Sequence, residues 1–265
     1  MPELGDESVH LVVTSPPYWC IKDYGHPDQI GREQSYEDYL RALTNVLQEC
    51  HRVLHKGCRM AVNIGDQYLR ASEHGRYRVQ PIPADLCVIG REVGFDFMGN
   101  TIWRKTSTTH TTGGGVWMGS IYYPRDGHIT YEHEYILLFR KRGKWPEPAS
   151  EEAKEKSRLT KEQRSKWFRG VWDDLPPERQ EGHVAMFPVE LPRRLIKMYT
   201  FWGETVLDPF LGSGTTALAA HLEGRNSVGY EINAEFEEMI KEKLGVGKGA
   251  AFGAEDVQIE FIRGN

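Results

Sequence analysis

The chain has 265 residues, 39% hydrophobic and 27% charged, a composition that suits a soluble globular protein with one α/β domain over residues 1–265. No apolar run approaches the roughly 20 residues of a membrane span, and Met1-Pro2-Glu3 lacks the basic start of a signal peptide, so a cytoplasmic protein with no membrane partner is expected. Cys20, Cys50, Cys58 and Cys87 form no C-x-x-C pair and the ten histidines no H-E-x-x-H, so neither disulfides nor a metal site is expected.

The formal net charge of -5 is unevenly spread. Residues 139–170 hold eleven Lys or Arg against five Glu, a local +6 that leaves -11 for the remainder. Such a segment fits an insertion that meets phosphate, and it equally fits a solvated, salt-bridged helix.

Val9-His10-Leu11-Val12-Val13 reads as a short buried strand. It runs into Ser15-Pro16-Pro17-Tyr18-Trp19, where proline ends the ladder and the chain must leave the sheet. The carbonyls of Pro16 and Pro17 are left as acceptors on a stiff backbone, beside the Ser15 hydroxyl and two aromatic faces. An unpaired base with an exocyclic amine needs that combination, acceptors for its hydrogens and a ring to stack on. A proline-ended strand with Tyr18 and Trp19 in the core is the competing reading.

Ser35 followed by Asp38 opens a helix, with an apolar stripe at Leu40, Leu43, Leu47, Cys50 and Leu54 and with Gly57 closing it. Strand Arg59–Ile64, helix Pro83–Val93 and strands Phe95–Trp103 and Tyr131–Phe139 follow. Between the last two, residues 106–128 are too rich in Thr and Gly for a regular element and read as a long loop carrying His110. His133, alternating with Glu132 and Glu134, reads as structural. Residues 141–166 form a charged insertion without strand pattern. Helix Pro188–Phe201, strand Thr205–Leu207, helix Thr215–Leu222, strand Ser227–Tyr230, helix Ala234–Leu244 and strand Val257–Ile262 complete the chain. The alternation implies a doubly wound, mostly parallel sheet with ligands at the carboxyl ends of its strands.

The stretch Asp208-Pro209-Phe210-Leu211-Gly212-Ser213-Gly214-Thr215-Thr216-Ala217 satisfies G-x-G-x-x-A between a strand and a helix. Glu231 ends the next strand, placed to accept from two ribose hydroxyls, which points to an adenosine-containing cofactor. Asp208 would repel a pyrophosphate but tolerate a cation, favouring S-adenosyl-L-methionine over NAD. No Gly-Lys-[Ser/Thr] of an ATP loop is present.

Ser15-Pro16-Pro17-Tyr18 resembles the catalytic motif of amino-group DNA methyltransferases, and Asp208-Pro209-Phe210-x-Gly212-x-Gly214 resembles their cofactor motif. The order, catalytic motif first, is that of the β group. "DYG", "QIGREQSYEDYL", "RVLHKG" and "HVAMFPVELPRRLIKM" agree, so the likeness covers most of the chain outside residues 141–170. It implies a Rossmann-like, S-adenosyl-L-methionine-dependent methyltransferase fold acting on double-stranded DNA. Catalysis would rest on Ser15, Pro16, Pro17 and Tyr18. Asp208, Pro209, Phe210, Gly212, Gly214, Thr215, Glu231 and Pro192 of the flanking helix would hold the cofactor.

The gap at residues 141–170 is where the family's target-recognition region usually falls, with Lys141, Arg142 and Lys144 as DNA contacts, joined by Trp19 and His110. Serine at position 15 is similar to the N4-cytosine subgroup, whereas N6-adenine members more often carry Asp; N4-cytosine is expected, with N6-adenine the alternative. A C5-cytosine enzyme would need a Pro-Cys pair, which is absent. RNA or protein methyltransferases with a related motif carry the cofactor loop first, and a nicotinamide oxidoreductase or silent adenosine-binding module would leave Ser15 to Tyr18 unexplained. The family setting adds a cognate restriction endonuclease and a homodimer as candidate partners. Only residues 1–8 precede the first strand, where relatives often carry another strand; Val257–Ile262 is expected to supply it, bringing Asn265 or Asp6 near the adenine.

Overall fold

The structure is a computed structural model that describes residues 1–105, 124–125, 127–129, 131–177, 187–245 and 260–262. Its elements in chain order are β1 (Val9–Thr14), α1 (Tyr36–Val53), β2 (Leu54–Ile64), β3 (Gln67–Leu69), α2 (Ala71–His74), β4 (Arg78–Gln80), α3 (Ile82–Val93), β5 (Phe95–Arg104) and β6 (His133–Lys141). There follow α4 (Glu151–Lys156), α5 (Lys161–Trp167), β7 (Val171–Trp172), α6 (Glu190–Tyr199), β8 (Thr205–Asp208), α7 (Thr215–Leu222), β9 (Asn226–Gly229) and α8 (Phe236–Lys243).

Seven strands form one sheet in the order β7-β5-β6-β2-β1-β8-β9, and β3 pairs with β4 in a separate hairpin. Only β6 among these seven runs against its neighbours, pairing antiparallel with both β2 and β5. The doubly wound, mostly parallel sheet expected from the alternation is thus present. Two cores cover its faces. Leu43 and Leu47 of α1 and Leu86 and Ile89 of α3 pack on one face. Leu191 and Leu195 of α6 and Ala219 and Ala220 of α7 pack on the other, against Leu11 and Val13 of β1. Full burial of each such aliphatic side chain stabilises the fold by about 1.5–3 kcal/mol.

The crossover from β1 through α1 goes toward β2, while that from β8 through α7 goes the opposite way, toward β9. β1 and β8 are neighbours in parallel register, Leu11 beside Val206 and Val12 beside Leu207. Their carboxyl ends therefore flank the switch point of the sheet, where the connecting chains diverge and leave a crevice.

Several expectations shift. Helix α1 opens as expected, the Ser35 hydroxyl accepting from the Asp38 N–H at 3.1 Å, but it stops at Val53. Leu54 already starts β2, and Gly57 is a bulge residue at φ +77° rather than a helix cap. A side chain there would collide with the backbone of Lys144 and Trp145, so the close approach of the insertion requires glycine. The three-residue strands β3 and β4, the short helices α4 and α5 and the two-residue β7 were not signalled by periodicity. The strand expected over residues 257–262 is not formed at 260–262, which are exposed and outside the sheet; Asn265 lies outside the described residues. No helix among the described residues is long and apolar enough to cross a membrane.

Candidate active site

Asp208, at the end of β8, fastens the switch point. Its carboxylate accepts from the Thr14 hydroxyl at 2.7 Å, from the Thr216 hydroxyl at 2.7 Å and from the Phe210 N–H at 3.0 Å. One side chain thereby ties the last residue of β1 to the glycine turn and to the first turn of α7. Burial pushes its pKa up to about 6 against the lowering pull of those hydrogen bonds. Gly214 caps α7 at φ +84° and Gly212 stands at φ +53°, conformations that favour glycine. Lys243 closes the loop from α8, donating to the Ser213 and Thr215 hydroxyls at 2.6 and 3.0 Å.

A cavity of about 420 Å³ opens against this turn. Ser15, Pro17, Asp208, Pro209, Phe210, Gly212, Thr215 and Glu231 all line it, among mostly apolar walls that include Ile30, Phe187, Tyr230, Ile232 and Phe236. Glu231 is held by two backbone donors, Gly212 N–H at 2.8 Å and Asn233 N–H at 2.9 Å, one on each carboxylate oxygen. Each oxygen keeps lone pairs for a further donor, which is what two ribose hydroxyls require. A Cβ added at Gly212 would meet no protein atom within 4 Å, so the glycine leaves its space to the cavity. Apolar walls, a fixed carboxylate and an open glycine turn without a phosphate-binding lysine fit an adenosine carrying a cationic tail.

A second cavity, of about 70 Å³, adjoins the first and shares Ser15, Tyr24 and Phe187 with it. Tyr18, Ile21, Lys22, Asn63, Trp103, Lys105 and Glu134 complete its lining. The Asn63 amide donates to the Tyr18 hydroxyl at 3.2 Å and to Glu134 at 2.7 Å, and Lys105 donates to the other Glu134 oxygen. Since Asn63 must turn its N–H₂ toward the carboxylate, its Oδ1 is fixed the other way, and that oxygen is buried without a hydrogen-bond partner among the described residues. An unsatisfied buried acceptor costs about 1–3 kcal/mol. Burial and the Glu134 charge hold the Tyr18 phenol well above its usual pKa, so it stays neutral. Tyr24, between the two cavities, is pushed up to about 12 by burial and by the charges of Glu134 and Glu231.

Not every expected residue reaches the site. Trp19 is buried in the core, its indole N–H donating to the Gln34 carbonyl at 3.0 Å and its ring edge-on to Tyr36, so the competing core reading holds for it. The Pro17 carbonyl is no open acceptor, because the Tyr39 hydroxyl donates to it at 2.7 Å. Among the described residues no donor reaches the carbonyl of Pro16, itself buried. Pro192 is buried in the first turn of α6 and does not line the cavity; Phe187, just before that helix, does. Asp6 pairs with Arg52 at 2.7 Å instead of entering the cavity.

The basic insertion is also displaced. Lys141 is 8% exposed and donates to the Leu54 carbonyl at 2.8 Å, so it pins the sheet and is not available to phosphate. Arg142 pairs with Asp96 and Lys144 with Glu147. α4 leans on Trp202 at the amino-terminal edge of β8, where Lys156 lies 4.1 Å from the ring centroid. That edge is the one opposite the cavities. His110 falls outside the described residues. The sequence reading missed Asn63, Tyr24, Lys105 and Glu134; only the acids flanking His133 gave a signal, with Glu134 facing the site and the His133 ring edge-on to Tyr131 and Tyr135.

The family model described as DNA methylase, of N6 and N4 type, matches residues 9–242. Among curated relatives, the type II methyltransferase M.MjaI of Methanocaldococcus jannaschii is 35% identical over 99% of this chain and 93% of its own length. M.MthZI of Methanothermobacter thermautotrophicus is 35% identical over 92% of this chain and 73% of its own. Among solved structures, a protein of Thermus thermophilus assigned as a DNA modification methylase, in complex with S-adenosyl-L-methionine, superposes with a TM-score of 0.75 at 38% identity over 91% of this chain and 87% of that one.

Proposed function

The chain belongs to the DNA methylase family that its residues 9–242 match, and we propose that within it the chain methylates the exocyclic N4 of cytosine in a specific DNA sequence. The observation that carries this reading is the meeting of the two cavities at Ser15. One is shaped for the methyl donor, the other for the base that receives the methyl group.

In the larger cavity the Gly212–Gly214 turn and the backbone-held Glu231 carboxylate would seat S-adenosyl-L-methionine, with Phe210 and Ile232 as apolar walls. When bound, that cofactor supplies an electrophilic methyl group on a sulfonium. The chain's own residues act on the acceptor. The Ser15 hydroxyl and the Pro16 carbonyl take the two amine hydrogens, which turns the nitrogen lone pair out of the ring. These acceptors stabilise the positive charge that develops on nitrogen, each contributing on the order of 3 kcal/mol to lowering the barrier. Pro17 fixes their backbone, while Tyr18, neutral and anchored to Asn63, offers its ring to the flipped base. Lys105, held by Glu134, is placed to donate to a ring-edge acceptor, and cytosine O2 is an acceptor where adenine has only a C–H.

Residues 1–265 act in this reading as one catalytic domain in a cytoplasmic restriction–modification setting, with a cognate endonuclease as partner; a homodimer is tested by light scattering. Nucleoside mass spectrometry of DNA from cells expressing the chain tests the base. N4-methylcytosine is expected; N6-methyladenine alone would replace the cytosine assignment with the alternative, and the absence of both marks would refute the function. Ser15→Ala should abolish the mark while S-adenosyl-L-methionine still binds in calorimetry; an active variant refutes the role of Ser15.

A further inference from the structure

We infer that the β3–β4 hairpin, residues 67–80, is the surface that grips the DNA backbone, with Arg70, Arg76 and Arg78 meeting its phosphates. The inference rests on the DNA methyltransferase reading and assigns the DNA interface to a different part of the molecule from the basic insertion.

The hairpin's place is the first argument. β2 ends at Ile64 on the carboxyl edge, and the chain passes directly into β3. Gly65, at that joint, lies against Glu134 and Tyr18 of the small cavity, a Cβ there coming within 3.2 and 3.5 Å of their side chains. The Gln67 amide donates to Cys20 Sγ at 3.0 Å, in the loop that carries the Ser15-Pro16-Pro17-Tyr18 motif. The hairpin is therefore fixed to the rim of the pocket into which a base would turn.

Charge is the second. Arg70, Arg76 and Arg78 are exposed, and none of their side chains makes an ion pair or hydrogen bond among the described residues. Glu73 is the one exposed acid of the hairpin. Six cations of the insertion contrast with this: Arg142, Lys144, Lys154, Lys156, Arg158 and Lys166 are each paired with Asp or Glu. A paired cation has little left to offer a phosphate, whereas an unpaired guanidinium presents its whole fork.

Rigidity is the third. Tyr68 stacks on Tyr77 with centroids 6.1 Å apart and lies 5.4 Å from Tyr131, and His128 lies 3.8 Å from Tyr77. The Tyr131 N–H donates to the Tyr68 hydroxyl at 2.9 Å, which ties the hairpin to the start of β6. The Tyr77 hydroxyl is buried without a hydrogen-bond partner among the described residues. Two short strands alone would be marginal in water, and this ring brace holds the arginines in one arrangement.

The test measures binding of a labelled unmethylated duplex as salt is varied. R70A/R76A/R78A should lose about 10- to 1000-fold in affinity near 0.1 M salt and shed about three from the log–log salt slope, since each phosphate contact contributes roughly 0.9. S-adenosyl-L-methionine affinity and melting temperature should not change. R70K/R76K/R78K should recover most of the slope, which a folding defect would not allow, and K154A/K156A should leave binding as it is. A triple alanine variant with unaltered slope and unaltered KM for DNA overturns the inference alone, as does a loss confined to K154A/K156A. A wild-type chain that neither binds duplex nor leaves a methyl mark overturns the methyltransferase reading and the inference with it.

Discussion

Glu231, proposed to hold the ribose, illustrates how much of a side chain's behaviour comes from what holds it. Two backbone N–H groups at 2.8 and 2.9 Å fix the carboxylate before any ligand arrives, so little entropy is left to lose when ribose hydroxyls bind. Hydrogen bonds to a charged group are worth about 1.5–3 kcal/mol, so Glu231→Ala should weaken S-adenosyl-L-methionine about 10- to 100-fold in calorimetry without changing DNA affinity. Asn63 makes the opposite case. Its buried Oδ1, without a partner among the described residues, is a standing cost, and Asn63→Leu should leave the melting temperature equal or higher while methyl transfer falls at least ~10-fold. A variant that loses stability and keeps turnover would show that the amide serves the fold. Ser15 and Glu231 were legible because each sits at a strand end in a recognisable local pattern. Trp19 and Lys141 misled because sequence gives residue type and not direction: one ring turned into the core, and one ammonium found two carbonyls at the end of α1.

Among the elements, α6 is held by charge as well as by its apolar face. Arg194 is 3% exposed, forks onto Asp174 at 2.9 and 2.8 Å and reaches Glu190 at 3.1 Å. The guanidinium keeps the Asp174 carboxyl well below its usual range. Asp174→Ala should destabilise the protein by about 2 kcal/mol, below the cost of breaking a fully buried pair because Asp174 is partly exposed and Glu190 remains. Urea denaturation at neutral pH measures this, and an unchanged midpoint would show that the pair adds nothing to stability. Helix α1 could be read from its Ser35 cap and apolar spacing, and α7 from the glycine turn that precedes it, because each signal is local. β3, β4 and β7 could not: two or three residues are too few to show a period, and they exist as strands only because a partner lies alongside. Gly57 looked like a helix stop because glycine marks both caps and bulges, and only the approach of Trp145 distinguishes them.

The whole molecule responds to pH through buried groups of opposite sign. Burial and neighbouring His55 lower His10 from 6.5 to about 4, so its contribution to stability is present above pH 6.5 and is lost as pH falls toward 4. Burial raises Asp208 from 3.8 to about 6, so its contribution is present below pH 3.8 and is lost as pH rises through 6. Between pH 4 and 6 the two slopes oppose each other. His10→Asn removes one slope and leaves that of Asp208 unopposed, so the melting temperature at pH 7 should fall relative to that at pH 5, and an unaltered difference would show that His10 does not titrate with folding. By itself the sequence determined the alternation of strands and helices, the strand that ends in Ser15-Pro16-Pro17-Tyr18 and the glycine turn with its distant acid, since each is a local pattern with a local physical cause. Tertiary structure alone decided that Asp208 clips Thr14 across 194 residues, that Asn63, Lys105 and Glu134 join Tyr18 around one small cavity, and that six of the insertion's cations pair with nearby acids. The reason is that sheet order and the pairing of side chains distant in sequence depend on how the strands lie together, which no local window of residues contains.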